Sequence, residues 1–230
     1  MIGPGPGFPR FRPVAEHAVL AEFGDRIDAA VHAAVLRLDA ALASRGFDGF
    51  VEAVPGYVNL LVAFDPMRCD HRRVEAALRE LLDGPAATVP KPAQHEVLVC
   101  YDADLAPDLA AVAQAAGLSV EAAIAAHLAG DYRVYLYGFA PGYAYLAGVP
   151  EEIRLPRKPA ALRGVAAGSV IIAGAQCLVT TLTMPTGWWI IGRSPTRILQ
   201  DDPSRPFLFE VGDRVRFRRI DRAGLHAAGG

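Results

Sequence analysis

One long stretch of this chain, from Gly164 to Gly192, contains no charged residue. A membrane-spanning helix needs about 20 consecutive apolar residues, but glycine, threonine and proline interrupt this stretch too often to leave such a run. Interruptions of this kind are typical of short strands that end in turns. The stretch therefore predicts a set of short buried strands.

Short strands separated by turns are also predicted in the rest of the second half. Two helical segments come first, DLAAVAQAAG (108–117) and SVEAAIAAHLAG (119–130), and Ser119 is a natural N-cap for the second. The candidate strands that follow are YRVYLYGF, SVIIAG, CLVTTLT, WWIIG and, near the end, DRVRFRRI. Many short strands with regular turn signals predict an antiparallel barrel or sandwich.

The first half alternates strands and helices. A strand is predicted at AVLAEFG (18–24), followed by a helix within 25–46 that ends at Gly46. The strands FVEAV and YVNLLVAFD come next, then a helix over 70–82 and a strand at HEVLVCY (95–101). The predicted inward positions are Ile27, Val31, Ala34, Leu38 and Leu42 on the first helix and Val74, Ala77, Leu78 and Leu81 on the second.

This order, β-α-β-β-α-β, is the split βαβ or ferredoxin-like arrangement, although the last strand could instead belong to the next domain. The segment DGPAATVPKPAQ (83–94) is rich in proline and glycine and indicates a boundary. The predicted fold class is therefore α+β. We expect a ferredoxin-like domain over residues 1–93 and a β-barrel domain over residues 94–230, with the boundary within 83–100.

Charge and cysteine content narrow the possible functions. A net charge of −2 gives no reason to expect binding to nucleic acid or to an anionic membrane. Cys69, Cys100 and Cys177 are far apart and odd in number, which argues against a disulfide framework or a structural zinc site. The N-terminal MIGPGPGFPRFRP lacks the apolar segment of a secretory signal, so a cytoplasmic location is expected.

Five motifs occur in series: GFAPGYAYL, LPR, AGSVIIAG, GWWIIGRSP and the terminal GDRVRF. With RPVAEHAVLAEFG and YVNLLVAFDP in the first half, they resemble a family variously described as allophanate hydrolase subunit 1, KipI-type kinase inhibitor, or the B-type subunit of the bacterial ATP-dependent 5-oxoprolinase. The resemblance covers nearly the whole chain. It implies a ferredoxin-like N-terminal domain and a cyclophilin-like β-barrel.

The resemblance also implies an assembly. The expected partner is a KipA-like second subunit (the C-type subunit), itself a related barrel, and a LamB/YcsF-type third subunit is usual. In larger relatives the two barrels are fused as the carboxyltransferase part of urea carboxylase. The implied reaction is the ATP-driven ring opening of 5-oxoproline to glutamate, with this chain inactive or weak alone.

Some residues depart from the pattern of the resembled family. Gln176-Cys177-Leu178 replaces the family's Q-T-G, and Val179-Thr180-Thr181 replaces its I-Y-P. The segment Met184–Trp188 stands where the family has S-P-G-G-W, and there are smaller changes at Leu162-Arg163 and Val165–Val170. These changes are expected to face the ligand, so the substrate is left open.

Basic residues cluster in IRLPRKPAALR, where Arg154, Arg157, Lys158 and Arg163 occur without an acid, and Arg193 follows the uncharged stretch. A guanidinium presents a planar fork of donors that fits a carboxylate or a phosphate. We interpret Arg154 and Lys158 as part of a solvated loop. For Arg157 and Arg193, which lie inside the matched motifs, ligand binding and solvation are both open.

Four other polar residues bear on the site. His127 lies near the end of a helix, where carbonyl groups would stabilise a charged imidazole, and it matches a histidine of the resembled family; a structural role is the alternative. Gln176 is an amide within an apolar run, so it either joins two strands or binds a lactam-like ligand. Ser169 lacks a nucleophile elbow. Cys177 lacks a base beside it in the sequence and is interpreted as an apolar filler.

The passage YGFAPGYAYLAGVPEEIRLPR (137–157) has no helical or strand period. Gly138, Pro141 and Gly142 predict a sharp bend after a strand, and the aromatic residues beside them would wall a shallow pocket or a packed barrel corner. The candidate catalytic residues are His127, Arg157, Gln176 and Arg193. The candidate substrate-binding residues are Phe139, Tyr143, Tyr145, Ser169 and Trp188.

Three functions remain open at this point. The first is an enzyme subunit of the 5-oxoprolinase or carboxyltransferase type, and the second is a KipI-like regulator that binds a histidine kinase. A prolyl isomerase would rest on the barrel fold alone. ATP, if it contacts this chain, would bind without a P-loop, since no G-x-x-x-x-G-K-[ST] sequence is present. No metal site is predicted, because no cluster has ligand spacing.

Overall fold

A computed structural model describes residues 7–229 of the chain. The described residues divide into two compact units, one ending at Lys91 and the other beginning at Pro92. The predicted domains begin at residue 1 and end at residue 230, so these outer limits, like most of the N-terminal MIGPGPG sequence, lie outside the described residues.

The first unit is a four-stranded antiparallel sheet with two helices. In chain order its elements are β1 (Arg10–Val14), β2 (Ala18–Glu22), α1 (Ala29–Arg45), β3 (Phe50–Pro55), β4 (Asn59–Phe64) and α2 (His71–Asp83). The strands lie in the order β1-β2-β4-β3, and every neighbouring pair is antiparallel. Apolar side chains from β2, β4 and both helices form one core.

Aspartate residues cap both helices of this unit. The Asp28 carboxylate accepts hydrogen bonds from the backbone N–H groups of Ala30 and Val31, at 2.7 and 3.2 Å, and the Asp70 carboxylate accepts one from Arg73 at 2.9 Å. These bonds satisfy N–H groups that the first turn of a helix leaves unpaired. The predicted inward position of Ile27 is wrong, because α1 begins only after Asp28 and leaves Ile27 42% exposed.

The last strand of the predicted β-α-β-β-α-β order does not join this sheet. It is β5 (Gln94–Cys100), which belongs to the second unit, and β1 occupies the corresponding edge of the first sheet. Val97 and Val99 of β5 point into the core of the second unit, where their burial stabilises the strand. The sequence alone left this assignment open, because an apolar strand does not reveal its neighbours.

The second unit is a closed barrel with helices packed against it. Besides β5, its elements are α3 (Leu109–Ala115), α4 (Val120–Ala129), β6 (Tyr132–Tyr137), β7 (Ala144–Ala147), a 3-10 turn (Glu151–Ile153), β8 (Leu162–Val165), β9 (Ser169–Ala173), β10 (Gln176–Val179), β11 (Met184–Thr186), β12 (Trp189–Arg193), β13 (Arg214–Ile220) and α5 (Arg222–Gly229). Seven strands close in the order β10-β7-β6-β13-β5-β12-β9, and β8 and β11 form a separate two-stranded sheet. The Ser119 cap on α4 is confirmed, with its hydroxyl 3.1 Å from the Ala122 nitrogen.

The prediction of a wholly antiparallel barrel is wrong at one pair. Strands β5 and β13 run parallel over seven residue pairs, from Gln94–Arg214 to Cys100–Ile220. The buried Asp213 supports this pairing, since its carboxylate accepts a hydrogen bond from the Ala93 nitrogen at 2.8 Å and lies 2.7 Å from His95 Nε2. No hairpin constrains the two strands, because β5 opens the barrel and β13 closes it.

The uncharged stretch forms β9, β10, β11 and β12, with the end of β8, as separate short strands. This confirms the prediction made from its interruptions. Among residues 7–229, no single helix has the length and apolar composition needed to cross a membrane; α3 and α4 meet that standard only as a pair, with a 92° bend between them.

Candidate functional site

A small cavity opens on the outer face of the barrel wall. Beneath it lies an apolar cluster that is separate from the barrel interior and contains Ile171, Leu178 and Trp188 among others. Strand alternation explains the separation, because neighbouring residues of β9 and β10 point into the interior and onto this face in turn. The cavity has a volume of about 130 Å³ and is lined by Phe139, Tyr143, Tyr145, Arg157, Ile171, Leu178, Pro185, Thr186, Gly187 and Trp188. We call it the aromatic cavity.

The turn between β6 and β7 forms one wall of the aromatic cavity. As predicted, Gly142 allows the bend, with a φ of 73° that favours glycine. A side chain there would also collide with Leu199 and Thr181, at 2.8 and 2.9 Å from the added carbon. Phe139 has a φ of 70° and remains 73% exposed. A bulky residue in this strained region is uncommon and marks a position of functional interest.

Aromatic rings and one guanidinium surround the cavity. The Tyr145 and Trp188 rings meet edge to face with centroids 5.8 Å apart, and the Arg157 guanidinium lies 5.6 Å from the Trp188 ring centroid. Burial raises the pKa of Tyr143 and Tyr145, while the Arg157 charge acts in the opposite direction on Tyr145. Both phenols are therefore protonated donors at neutral pH.

The residues on both sides of Arg157 are fixed to the barrel. The Pro156 carbonyl accepts a hydrogen bond from Trp189 Nε1 at 2.7 Å, and the Lys158 nitrogen donates to the Gly187 carbonyl at 2.7 Å. Lys158 Nζ also lies 2.6 Å from the Asp108 carboxylate, in a largely buried ion pair. Arg157 is thus held at the cavity by a rigid segment, which limits the entropy lost when it binds a ligand.

The interpretation of Arg154 and Lys158 as a solvated loop is wrong for Lys158, whose side chain is only 11% exposed. Its Asp108 partner precedes it by 50 residues in the chain, so the pair is invisible in the local sequence. Arg154 is exposed as a residue, but its Nε donates to the Val149 carbonyl at 2.7 Å, which ties it to the protein.

The structure brings five of the nine predicted site residues to one cavity: Phe139, Tyr143, Tyr145, Arg157 and Trp188. The others lie elsewhere. Gln176 begins β10, paired with Ala147 and Ala173. Ser169 is buried, and its hydroxyl donates to the Ala166 carbonyl at 2.9 Å.

Arg193 contacts the loop that contains Ala167. Its guanidinium donates a hydrogen bond to the Ala167 carbonyl at 3.3 Å. Arg193 and Gln176 therefore do not line the aromatic cavity with Arg157, although the sequence analysis grouped all three as candidate catalytic residues.

His127 lies inside the barrel, and the expectation of a charged imidazole there is wrong. Its Nδ1 is 2.7 Å from the Tyr101 hydroxyl, and its ring lies 4.5 Å from that of Phe217. Burial lowers the pKa of His127 to about 3, so the ring is neutral at neutral pH. Complete burial removes the charge that the nearby helix end would otherwise stabilise.

Cys177 packs against this histidine, a contact that the sequence did not reveal. Its Sγ lies 3.7 Å from His127 Nε2. Burial raises the pKa of the Cys177 thiol far above its ordinary value and lowers that of His127, so both groups are neutral. A thiolate–imidazolium pair is therefore disfavoured, in agreement with the interpretation of Cys177 as an apolar filler.

Several lining residues were not named as site candidates: Ile171, Leu178, Pro185, Thr186 and Gly187. A signal for two of them was present, because Leu178 and Thr186 stand where the resembled family has glycine. Within residues 7–229, no group of three or more His, Cys, Asp or Glu side chains is arranged to hold a metal ion.

The chemical groups that line the cavity suit a small anion. Arg157 supplies a cationic fork, Tyr143 and Tyr145 supply neutral donors, and Trp188 and Phe139 supply flat apolar surfaces. The chain is therefore a closed β-barrel protein with a cationic, aromatic cavity on its wall.

Comparison with known proteins identifies the family. The sequence model of the family described as carboxyltransferase domain, subdomain C and D, matches residues 9–209, so the chain belongs to this family. It is 33% identical over 228 residues to the B-type subunit of 5-oxoprolinase from Bacillus subtilis (strain 168), across 93% of this chain and 94% of that relative. The resemblance deduced from the motifs is confirmed.

Solved structures share the fold. The crystal structure of TTHA0988 matches with a TM-score of 0.79 and 34% identity over 90% of this chain, which spans only 41% of that longer chain. The Kluyveromyces lactis urea carboxylase matches with a TM-score of 0.73 at 16% identity, over 94% of this chain and 22% of that chain. The second likeness shows the fold alone.

Proposed function

We propose that this chain is a subunit of a 5-oxoprolinase-type enzyme and that the aromatic cavity binds the carboxylate-bearing substrate. The observation that carries the proposal is the position of Arg157 at the edge of a cavity walled by Tyr143, Tyr145 and Trp188. The description of the Bacillus subtilis relative as a 5-oxoprolinase subunit supports the same reaction.

The proposed substrate, 5-oxoproline, has a carboxylate and a five-membered lactam ring. Arg157 would pair with the carboxylate through a bidentate hydrogen bond. A protonated tyrosine would donate to the lactam carbonyl, and Trp188 would pack on the ring. A cavity of about 130 Å³ suits a ligand of this size better than a nucleotide.

The reaction itself would need an assembly. We propose a KipA-like C-type subunit as the partner, with a LamB/YcsF-type third subunit, and ATP-driven ring opening to glutamate in the cytoplasm. The greater length of the TTHA0988 chain supports an additional part beyond the one matched here. ATP is assigned to the complex, and no residue of this chain is assigned to it.

The finer fold assignments belong to the same proposal. We propose that residues 1–93 form a ferredoxin-like domain in which β1 takes the sheet edge usually filled by a last strand, and that residues 94–230 form a cyclophilin-like barrel. The antiparallel order β1-β2-β4-β3 supports the first assignment, and the closed seven-stranded barrel supports the second.

The alternative is a KipI-like regulator that binds a histidine kinase. The exposed Phe139 favours it, since a large aromatic side chain on the surface is a common anchor for a protein partner. A regulator of this kind does not need a cationic cavity for a small molecule, so the two proposals predict different results in an assay for turnover.

The test is ADP release in the presence of 5-oxoproline and ATP, measured for this chain alone, for its partner subunits alone and for the mixture. We expect turnover only in the mixture. Absence of ADP release with every partner present would contradict the enzyme proposal and favour the regulator. Omission of 5-oxoproline is the control for uncoupled ATP hydrolysis.

A further inference from the structure

A second, larger cavity lies in the barrel unit, on the other side of the turn between β6 and β7. It has a volume of about 330 Å³ and is lined by Ala167, Gly168, Thr180, Thr181, Ser194, Pro195, Thr196, Arg197, Ile198 and Leu199. None of these residues lines the aromatic cavity. We call it the hydroxyl cavity, because four of its lining side chains carry a hydroxyl group.

Two hydroxyl groups of this cavity accept a hydrogen bond, but their own O–H groups are not used as donors among the described residues. Ser194 Oγ accepts from the Thr196 nitrogen at 3.1 Å, and Thr196 Oγ1 accepts from the Leu98 nitrogen at 3.3 Å. Over residues 7–229 the structure gives neither hydroxyl an acceptor. Ser194 is only 4% exposed, and a buried donor without an acceptor carries an energetic cost.

Arg193 lies beside the cavity and does not line it. Its terminal nitrogen binds the Ala167 carbonyl, but its Nε is buried and has no partner among the described residues. The Arg193 Cδ lies 3.3 Å from the position that a side-chain carbon on Gly168 would take, which places the guanidinium stem against the cavity wall. A permanent positive charge beside the wall favours an anionic ligand.

The charges around the cavity also favour an anionic ligand. No Asp or Glu is among its lining residues, whereas Arg197 is. Arg197 is paired with the exposed Asp201 at 2.9 Å, so it contributes less positive charge than an unpaired arginine would. The lining therefore contains hydroxyl groups and no acidic residue, and within the described part of the chain the unpaired charge nearby is that of Arg193.

The backbone keeps this cavity open. Gly168 has a φ of 80°, and a side chain there would come within 2.5 Å of the Ser194 carbonyl oxygen. The Gly168 carbonyl accepts a hydrogen bond from the Ser194 nitrogen at 2.7 Å, which fixes the two walls together. Glycine is thus required for the close approach that brings Ser194 to the cavity.

We propose that the hydroxyl cavity is a second binding site, separate from the aromatic cavity, that takes the oxyanion group of a small ligand, a phosphate or a carboxylate. Ser194 and Thr196 supply the donors, and Arg193 supplies positive charge beside the cavity wall. This site does not depend on the proposed reaction, and it would exist equally in an enzyme subunit and in a regulator.

The test is a titration of the isotope-labelled full chain with inorganic phosphate and, separately, with acetate, at constant ionic strength, followed by NMR. Saturable shifts of the Gly168 and Ser194 amides are expected with at least one anion, and the two titrations distinguish a phosphate site from a carboxylate site. Ser194→Ala and Arg193→Gln should each weaken binding about ten-fold or more. The matched control is Arg216→Gln, an exposed arginine on β13 that lines neither cavity.

The proposal is overturned if neither anion shifts these amides in the wild-type chain, or if folded Ser194→Ala and Arg193→Gln bind as tightly as the wild type. Equal losses in Arg216→Gln would also overturn it, because they would indicate attraction by net charge. Thr196→Val replaces Ser194→Ala if the latter does not fold, and the location of the wild-type shifts decides the question independently of every variant.

Discussion

Arg157→Gln is expected to lower kcat/KM for 5-oxoproline about 100-fold in the assembled enzyme. Hydrogen bonds to charged groups contribute about 1.5–3 kcal/mol, and glutamine removes both the charge and the planar fork. The segment around Arg157 is fixed through Pro156 and Lys158, so no other side chain is expected to move into its place. The measurement is steady-state ADP release by the complex.

Two further variants sharpen this prediction. Arg163→Gln removes another exposed arginine from the same basic segment, but Arg163 does not line the aromatic cavity, so the kcat/KM of this variant should stay within about two-fold of the wild type. Arg157→Lys keeps the charge and loses the fork, and should fall between the two. Equal effects of Arg157→Gln and Arg163→Gln would show that the segment acts only through its overall charge.

Acid is expected to destabilise the barrel unit through His127. The pKa of His127 is about 3 in the folded protein, below its ordinary value of 6.5. Between these values the unfolded chain binds more protons than the folded chain, so the free energy of unfolding falls as pH falls. The contribution is fully present above pH 6.5, and about 3 kcal/mol of it should be lost by pH 4.5.

His127→Gln isolates this effect, because glutamine retains a donor and an acceptor but does not titrate. The wild type should be more stable than the variant at pH 7.5, and this advantage should shrink by about 3 kcal/mol at pH 4.5. Denaturant unfolding followed by tryptophan fluorescence reports on the barrel unit, because both tryptophans, Trp188 and Trp189, belong to it. A difference that stays constant between the two pH values would contradict the buried, neutral state of His127.

Local signals in the sequence predicted most helices and most strands well, although α5 was not predicted. Helices α1 and α2 were found from their apolar period, and the cap on α4 from Ser119, which are properties of neighbouring residues. The parallel pairing of β5 with β13 joins segments about 120 residues apart in the chain. No local pattern specifies such a partner, so both the parallel pair and the assignment of β5 to the barrel required the structure.

The candidate site was predicted in part for the same reason. Phe139, Tyr143 and Tyr145 lie on one short turn and strand, so their proximity follows from the sequence. Gln176 and Arg193 were grouped with Arg157 because of the chemistry of their side chains, but the strand pairing places them in other parts of the barrel wall. His127 looked like a helix-end cation, and only the packing of the interior shows that it is neutral.

Some departures from the resembled family line the two cavities. Leu178 and Thr186 stand where the family has glycine and line the aromatic cavity, and Thr180 and Thr181 depart from it and line the hydroxyl cavity. These departures leave the closed barrel intact.

The most direct test of the proposed substrate site is a crystal structure of the assembled complex with 5-oxoproline. We predict the ligand in the aromatic cavity, with its carboxylate about 2.8 Å from the Arg157 guanidinium and its ring against Trp188. A ligand bound elsewhere, with the aromatic cavity empty and Arg157 free of contact, would contradict the account.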